Sequence, residues 1–164
     1  MTVRQIIAFR AVNRHGFAGF LPDMQRHHLI PCQSLIAKPI CHMLEFIDPE
    51  LVMMRDFRRN GLLLPASENA AMRTALPLHR GPHRRYNEAV LHRLGRIEHD
   101  WQLRRWRTPD RAREVAWFRV QLLQRALRRR LIDRRLGRSA RLHQNDPLLR
   151  ARSLATPHPI LLFE

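Results

Sequence analysis

Apolar residues along this chain follow two rhythms. Met24 to Pro31 and Leu62-Leu63-Leu64-Pro65 are short blocks of strand length, each ended by a proline, which cannot donate to a sheet ladder. Elsewhere the apolar positions recur every three or four residues, as on a helix face. Leu35, Ile36, Ile40, Met43 and Leu44 predict a helix over Gln33 to Phe46, disturbed at Pro39. Asp48-Pro49-Glu50 reads as a helix start leading into Leu51 to Phe57. Phe17 to Pro22 reads as loop, Asn60-Gly61 as a turn into the second strand, and Ala66 to Ala75 as a polar link. From Pro82 a helix is expected toward Arg107, with Val90, Leu94, Ile97 and Trp101 on one face. Thr108-Pro109-Asp110 then caps a helix reaching about Leu136 and stopping near Gly137. Its expected buried face is Ala112, Val115, Phe118, Leu122, Leu123, Ala126, Leu127 and Leu131. Asn145 to Glu164 is a proline-punctuated tail whose end, Ile160-Leu161-Leu162-Phe163, is apolar enough to pack on the core or meet a partner.

Charge changes this picture from a plain helical domain to one with a polyanionic partner. The 164 residues carry 30 basic against 14 acidic side chains, a formal net charge of +16, which favours nucleic acid or an acidic protein. All the basic residues but Lys38 are arginine, whose planar fork suits phosphate. Residues 1–87 hold 12 basic and 6 acidic residues and residues 88–164 hold 18 and 8, so the later part carries the heavier load. Arg125, Arg128, Arg129, Arg130, Arg134 and Arg135 crowd the last predicted helix, where a solvated face complementing the helix dipole is the plain structural explanation. No stretch has the apolar length of a membrane span, and the N-terminus offers no convincing signal peptide, so export would need a dedicated route. Cys32 and Cys41 fit neither a metal knuckle nor a disulfide framework and are expected to be buried free thiols.

Candidate chemistry lies in the first part, in two close histidine pairs, His27-His28 and His79/His83. Taken singly, histidines are more often structural than catalytic, and His15, His42, His92, His99, His143 and His158 are read so. Neighbouring residues on a strand point to opposite faces, so His27-His28 can aim one ring at a metal and the other at a substrate. Imidazole is a common neutral metal ligand near neutral pH.

Three blocks then share a pattern: His27-His28-Leu29-Ile30-Pro31, Asn60-Gly61-Leu62-Leu63-Leu64-Pro65, and Leu78-His79-Arg80-Gly81-Pro82-His83-Arg84-Arg85-Tyr86-Asn87. Together they resemble the AHH family of nucleases, a branch of the HNH and endonuclease VII superfamily, over about residues 24–94. Arg26 stands where the family's small residue precedes His-His. The resemblance implies a ββα-metal fold in which His28 is the general base, and His27, His79 and His83 hold one divalent metal ion. It also implies that Asn60 hydrogen-bonds and orients the His28 ring, with Asn69 as the competing asparagine. Three neutral histidines favour zinc, nickel or manganese over magnesium. Arg26, Arg80, Arg84, Arg85 and Tyr86 flank the ligands as candidates to hold phosphate oxygens.

The expected fold class is therefore α+β and mostly helical: a short two-stranded hairpin plus helix, surrounding helices and a basic helical C-terminal extension. Residues 1–100 are assigned to the nuclease domain and 101–164 to an Arg-rich helical extension and tail packed on it. The expected function is metal-dependent hydrolysis of phosphodiester bonds, DNA more than RNA. Low sequence specificity is expected because no base-reading element is evident. Many relatives are bacterial toxin modules, which implies delivery into a target cell and an acidic immunity protein as partner. The alternatives are a basic nucleic-acid-binding module with a closed zinc site made by all four histidines, and a protein-interaction module. An unattached His28 separates a catalytic site from the closed one.

Overall fold

A computed structural model describes residues 5–132 and Leu142. The expected strands form and pair: β1 (Met24–His28) runs antiparallel to β2 (Gly61–Pro65), with Met24 opposite Pro65 and His28 opposite Gly61. The connection between them carries three helices, α1 (Lys38–Ile47), α2 (Val52–Arg55) and α3 (Phe57–Asn60). After β2 come α4 (Glu68–Thr74), α5 (Arg84–Arg104) and α6 (Pro109–Ile132). The result is the small α+β arrangement expected, a hairpin surrounded by helices.

Local chemistry explains where these elements depart from the sequence expectation. Proline lacks an N–H and clashes with the preceding turn, so Pro39 lies in the first turn of α1, not at a kink, and Cys32–Leu35 forms a separate 3-10 turn. Asp48 caps the end of α1 instead of beginning a helix, yet its Oδ2 accepts from the Met53 N–H at 2.7 Å and so caps α2. The expected helix into Phe57 is divided at Asp56, whose side chain accepts from the Arg58 N–H and caps α3. Asn60-Gly61 is not a turn: Asn60 ends α3 and Gly61, in extended backbone, opens β2. The link over Ala66 to Ala75 contains α4, capped by Ser67, with Ala70 and Ala71 buried; the serine cap was a readable signal. Helix α5 starts at Arg84, after Gly81 at a φ of +71°, which leaves Pro82 outside and makes His83 its cap.

Tyr86, Val90, Leu94, Ile97 and Trp101 form the buried face of α5. Ala112, Ala116, Val120 and Leu131 bring α6 into the same core, with Leu29, Ile30, Met43, Leu44 and Leu64. Phe118 and Leu122, expected in that face, are 55% and 44% exposed, and Ala126 is exposed as well. The buried stripe runs Ala112, Ala116, Val120, Gln124, four residues apart, and Phe118 falls on the far flank. Both cysteines are free as expected, but Cys32 is exposed and Cys41 half-exposed, because neither faces the core side of its turn or helix. No helix among the described residues is long and apolar enough to cross a membrane. The expected end of α6 near Gly137, Arg134, Arg135 and the Asn145 to Glu164 tail lie outside the described residues.

Candidate active site

Strand alternation decides the geometry. Gln25 and His27 share one face of β1, and Arg26 and His28 the other. On the first face His27 is 3% exposed, with its ring centroid 4.9 Å from His79 and 5.6 Å from His83. The His79 and His83 rings are 4.4 Å apart, and one nitrogen from each of the three lies within 4.8 Å of the others. His79 is anchored beside the end of β2, where its N–H donates to the Pro65 carbonyl at 2.7 Å. Its Nδ1 lies 3.2 Å from Gln25 Oε1, an acceptor that favours the proton on Nδ1 and leaves the lone pair on Nε2. His83 caps α5, with Nδ1 3.3 Å from the Leu142 carbonyl.

Burial keeps the His27 and His79 rings neutral. His27 is pushed down to about 3, first by burial and then by His79, His83 and His28. His79 is pushed down to about 4 by burial and by His83. A neutral imidazole with its lone pair available is the form that ligates. Nε2 of His27 is buried without a hydrogen-bond partner among the described residues, a loss of roughly 1–3 kcal/mol unless something fills the site. The donor set and that orphaned nitrogen fit a divalent cation held by three ligands, which leaves a coordination position open.

His28 stands apart from the three. It is half-buried and lies flat on Phe9, with centroids 3.7 Å apart and planes within 5°. The Phe9 carbonyl accepts from Arg26 Nη1 at 3.0 Å, and its ring meets Phe57 edge-on. Burial, then the Arg26 charge, holds His28 below its ordinary value, so it is neutral and able to accept a proton near pH 7. With His28 on the opposite face, the closed four-histidine arrangement does not form.

Asn60 acts on the backbone and not on the His28 ring. Its Oδ1 accepts from the Ile30 N–H at 2.8 Å, its Nδ2 donates to the Ile30 and Met54 carbonyls, and its own carbonyl accepts from the Leu29 N–H at 2.7 Å. It therefore fixes the two residues that follow His28. The expected ring contact fails because the asparagine is fully buried behind the chain. Asn69 is exposed on α4. Tyr86 is also placed differently: it is buried, its ring packs on His27, and its hydroxyl donates to the Leu29 carbonyl at 2.7 Å, so it braces the site and cannot reach phosphate. Arg26, Arg80, Arg84 and Arg85 are exposed around it.

Local sequence patterns did not single out Gln25, Phe9, Gln124 or Arg128 as parts of the site. Gln124 Nε2 donates to Asn60 Oδ1 at 3.2 Å and to the Met53 carbonyl at 2.7 Å. Arg128 Nη2 donates to the Arg58 and Gly61 carbonyls at 2.8 and 2.7 Å. Helix α6 thus ties directly to Gly61, the residue paired with His28 across the hairpin. Gln25 was readable from its two-residue spacing to His27, and Gln124 from being a polar residue on an apolar stripe. Phe9 gave no signal. The other histidines behave as expected: His15, His42, His92 and His99 are exposed, and His143 and His158 lie outside the described residues.

Compared with known families, residues 10–127 match AHH, described as a nuclease family of the HNH/ENDO VII superfamily with conserved AHH. No curated protein and no solved structure matches the chain significantly. The match reaches beyond the three motif blocks at both ends, taking in Phe9's neighbour Arg10 and most of α6. With its histidine group and hairpin in place, the chain belongs to the AHH nuclease family.

Proposed function

We propose that the chain is a metal-dependent endonuclease that hydrolyses phosphodiester bonds of DNA in preference to RNA, with little sequence preference. The observation that carries this reading is the division between adjacent residues of β1. His27 joins His79 and His83 around a buried, unpartnered nitrogen, while His28 faces the other way as a neutral base. His27, His79 and His83 would hold the ion, zinc, nickel, manganese or magnesium, with the nitrogen-rich set favouring the first three. Bound there, the ion would supply positive charge to a phosphate oxygen and to the departing 3′ oxygen.

The chain's own residues supply the remainder. His28 takes the proton from the attacking water, which its neutral ring permits at pH 7. Phe9 holds that ring in plane, and Asn60 fixes the backbone behind it. Arg26, Arg80, Arg84 and Arg85 are exposed at the surface to meet phosphate oxygens, in keeping with a net charge of +16. Residues 1–100 then form the nuclease domain proper, and 101–164 a basic extension whose helix α6 packs on it.

The same reading makes the chain a bacterial toxin delivered by a dedicated secretion system, neutralised in its producer by an acidic immunity protein that the positive charge would attract. Incubating purified protein with supercoiled plasmid and with structured RNA, each with manganese, nickel, zinc or magnesium, tests the activity. Nicking and linearisation of plasmid faster than RNA loss is expected; no cleavage with any of the four ions would overturn it. Capture of an acidic neighbouring gene product that blocks cleavage tests the toxin reading.

A further inference from the structure

Beyond the histidine group, α2, α3 and α6 enclose a cavity of about 340 Å³. Its wall carries Arg58, Arg59, Arg125 and Arg128 against one carboxylate, Asp56. That carboxylate is already engaged by the Arg58 guanidinium and by the Arg58 and Ile7 N–H groups. Arg128 is half-buried and bound to two carbonyls, so its charge sits in the wall with no ion pair among the described residues. Arg59 and Arg125 are exposed and have no ion pair among the described residues. The same wall holds Gln121, whose buried Nε2 finds no acceptor among the described residues. Forked donors, uncompensated charge and an idle amide N–H together make a site for a tetrahedral anion.

The place of the cavity identifies the anion's source. Arg128 grips the Gly61 carbonyl, and Gly61 is the residue opposite His28. The cavity wall is therefore joined by a hydrogen bond to the strand end that carries the base, while His27 faces the other side of β1. We infer that it binds a backbone phosphate of the nucleic-acid substrate, next along the strand from the bond being cut, with Arg59 and Arg125 as its free guanidinium donors. The inference rests on the nuclease reading and adds a binding site for the substrate backbone formed by α3 and α6.

The test uses the full chain carrying His28→Ala, so that duplex DNA stays intact, and measures its affinity for an unspecific duplex by fluorescence anisotropy over a range of salt. Adding Arg59→Ala and Arg125→Ala is expected to weaken binding equally for unrelated sequences. The slope of log affinity against log salt should fall by about 0.9, since the site neutralises one duplex phosphate and each contributes about 0.9. Arg59→Lys with Arg125→Lys should keep most of the slope. A control pair, Arg111→Ala with Arg113→Ala, removes the same charge roughly 20 Å from Arg125 along α6, at about 1.5 Å per residue, and should change it less. An unchanged slope, or an equal fall in the control pair, would overturn the inference while leaving the nuclease reading intact. Loss of binding to polyglutamate with the DNA slope retained would overturn it in favour of an acidic protein. Absence of DNA binding by the parent chain would overturn both readings together.

Discussion

Asn60 and Ile30 exchange two hydrogen bonds, Oδ1 accepting from the Ile30 N–H at 2.8 Å and Nδ2 donating to the Ile30 carbonyl at 3.0 Å. This clasp joins the end of α3 to the chain just beyond His28, and all of it is buried. Asn60→Ala removes the side-chain partner of the Ile30 N–H and carbonyl and one of the two acceptors of Gln124, and unmatched buried groups cost roughly 1–3 kcal/mol each. A loss of about 3 kcal/mol in urea unfolding is expected, together with a fall in turnover; unchanged stability would show that the clasp is dispensable.

His28→Ala should lower plasmid cleavage by roughly 10²–10⁴-fold, the usual range for general-base catalysis, while metal affinity by calorimetry stays near that of the parent. Full activity in this variant would remove His28 from the mechanism.

His27→Ala should act in the opposite way, because it deletes a ligand. Metal affinity and activity are both expected to fall. The parent chain should melt higher with metal present, since a ligand at about 100 times its Kd adds about 2.7 kcal/mol. A thermal shift that survives His27→Ala would place the ion elsewhere.

The metal-free protein should weaken on acidification. His27 is near 3 and His79 near 4 in the fold, against 6.5 for the free side chain. Above pH 6.5 both states are neutral there and the two histidines contribute no pH dependence. Below it the unfolded chain takes up protons first, so stability falls by about 1.4 kcal/mol per pH unit for His27. The fall should continue toward about pH 3–4, as followed by denaturant titration, and bound metal should steepen it by competing with protons. A flat profile from pH 6.5 down to about 4 would contradict the burial of these rings.

Gly61→Ala should damage the base without touching the ligands. A Cβ there would lie 2.1 Å from the Phe57 ring, which packs edge-on against Phe9, and Phe9 stacks on His28. Overpacking of this kind costs about 1–3 kcal/mol. Turnover is expected to drop with metal affinity retained, and Phe57→Leu should recover part of it. A variant as active as the parent would show that the ring chain does not hold the base.

Several elements are legible in the residue pattern alone. The two strands, the apolar face of α5 and the Thr108-Pro109-Asp110 helix start are all local patterns that form, although β1 ends at His28, three residues before Pro31. The three histidines that converge are legible through their motif. Local patterns fail where a side chain has two uses: Asp48 ends one helix and caps the next, and Asn60-Gly61 reads as a turn although Asn60 is drawn into the core by Ile30.

By itself the sequence determined the periodicity, the positive charge, and the strand alternation that sends His27 and His28 to opposite faces, because side-chain direction on a strand follows from the backbone alone. Only the tertiary structure decided that Tyr86 braces the site, that Asn60 fixes backbone and not ring, and that Gln124 and Arg128 of α6 reach the base's strand end. Those contacts join residues 57, 64 and 67 positions apart in the chain. A buried hydrogen bond between such distant residues depends on where the packed core leaves each donor and acceptor, and no local pattern records that.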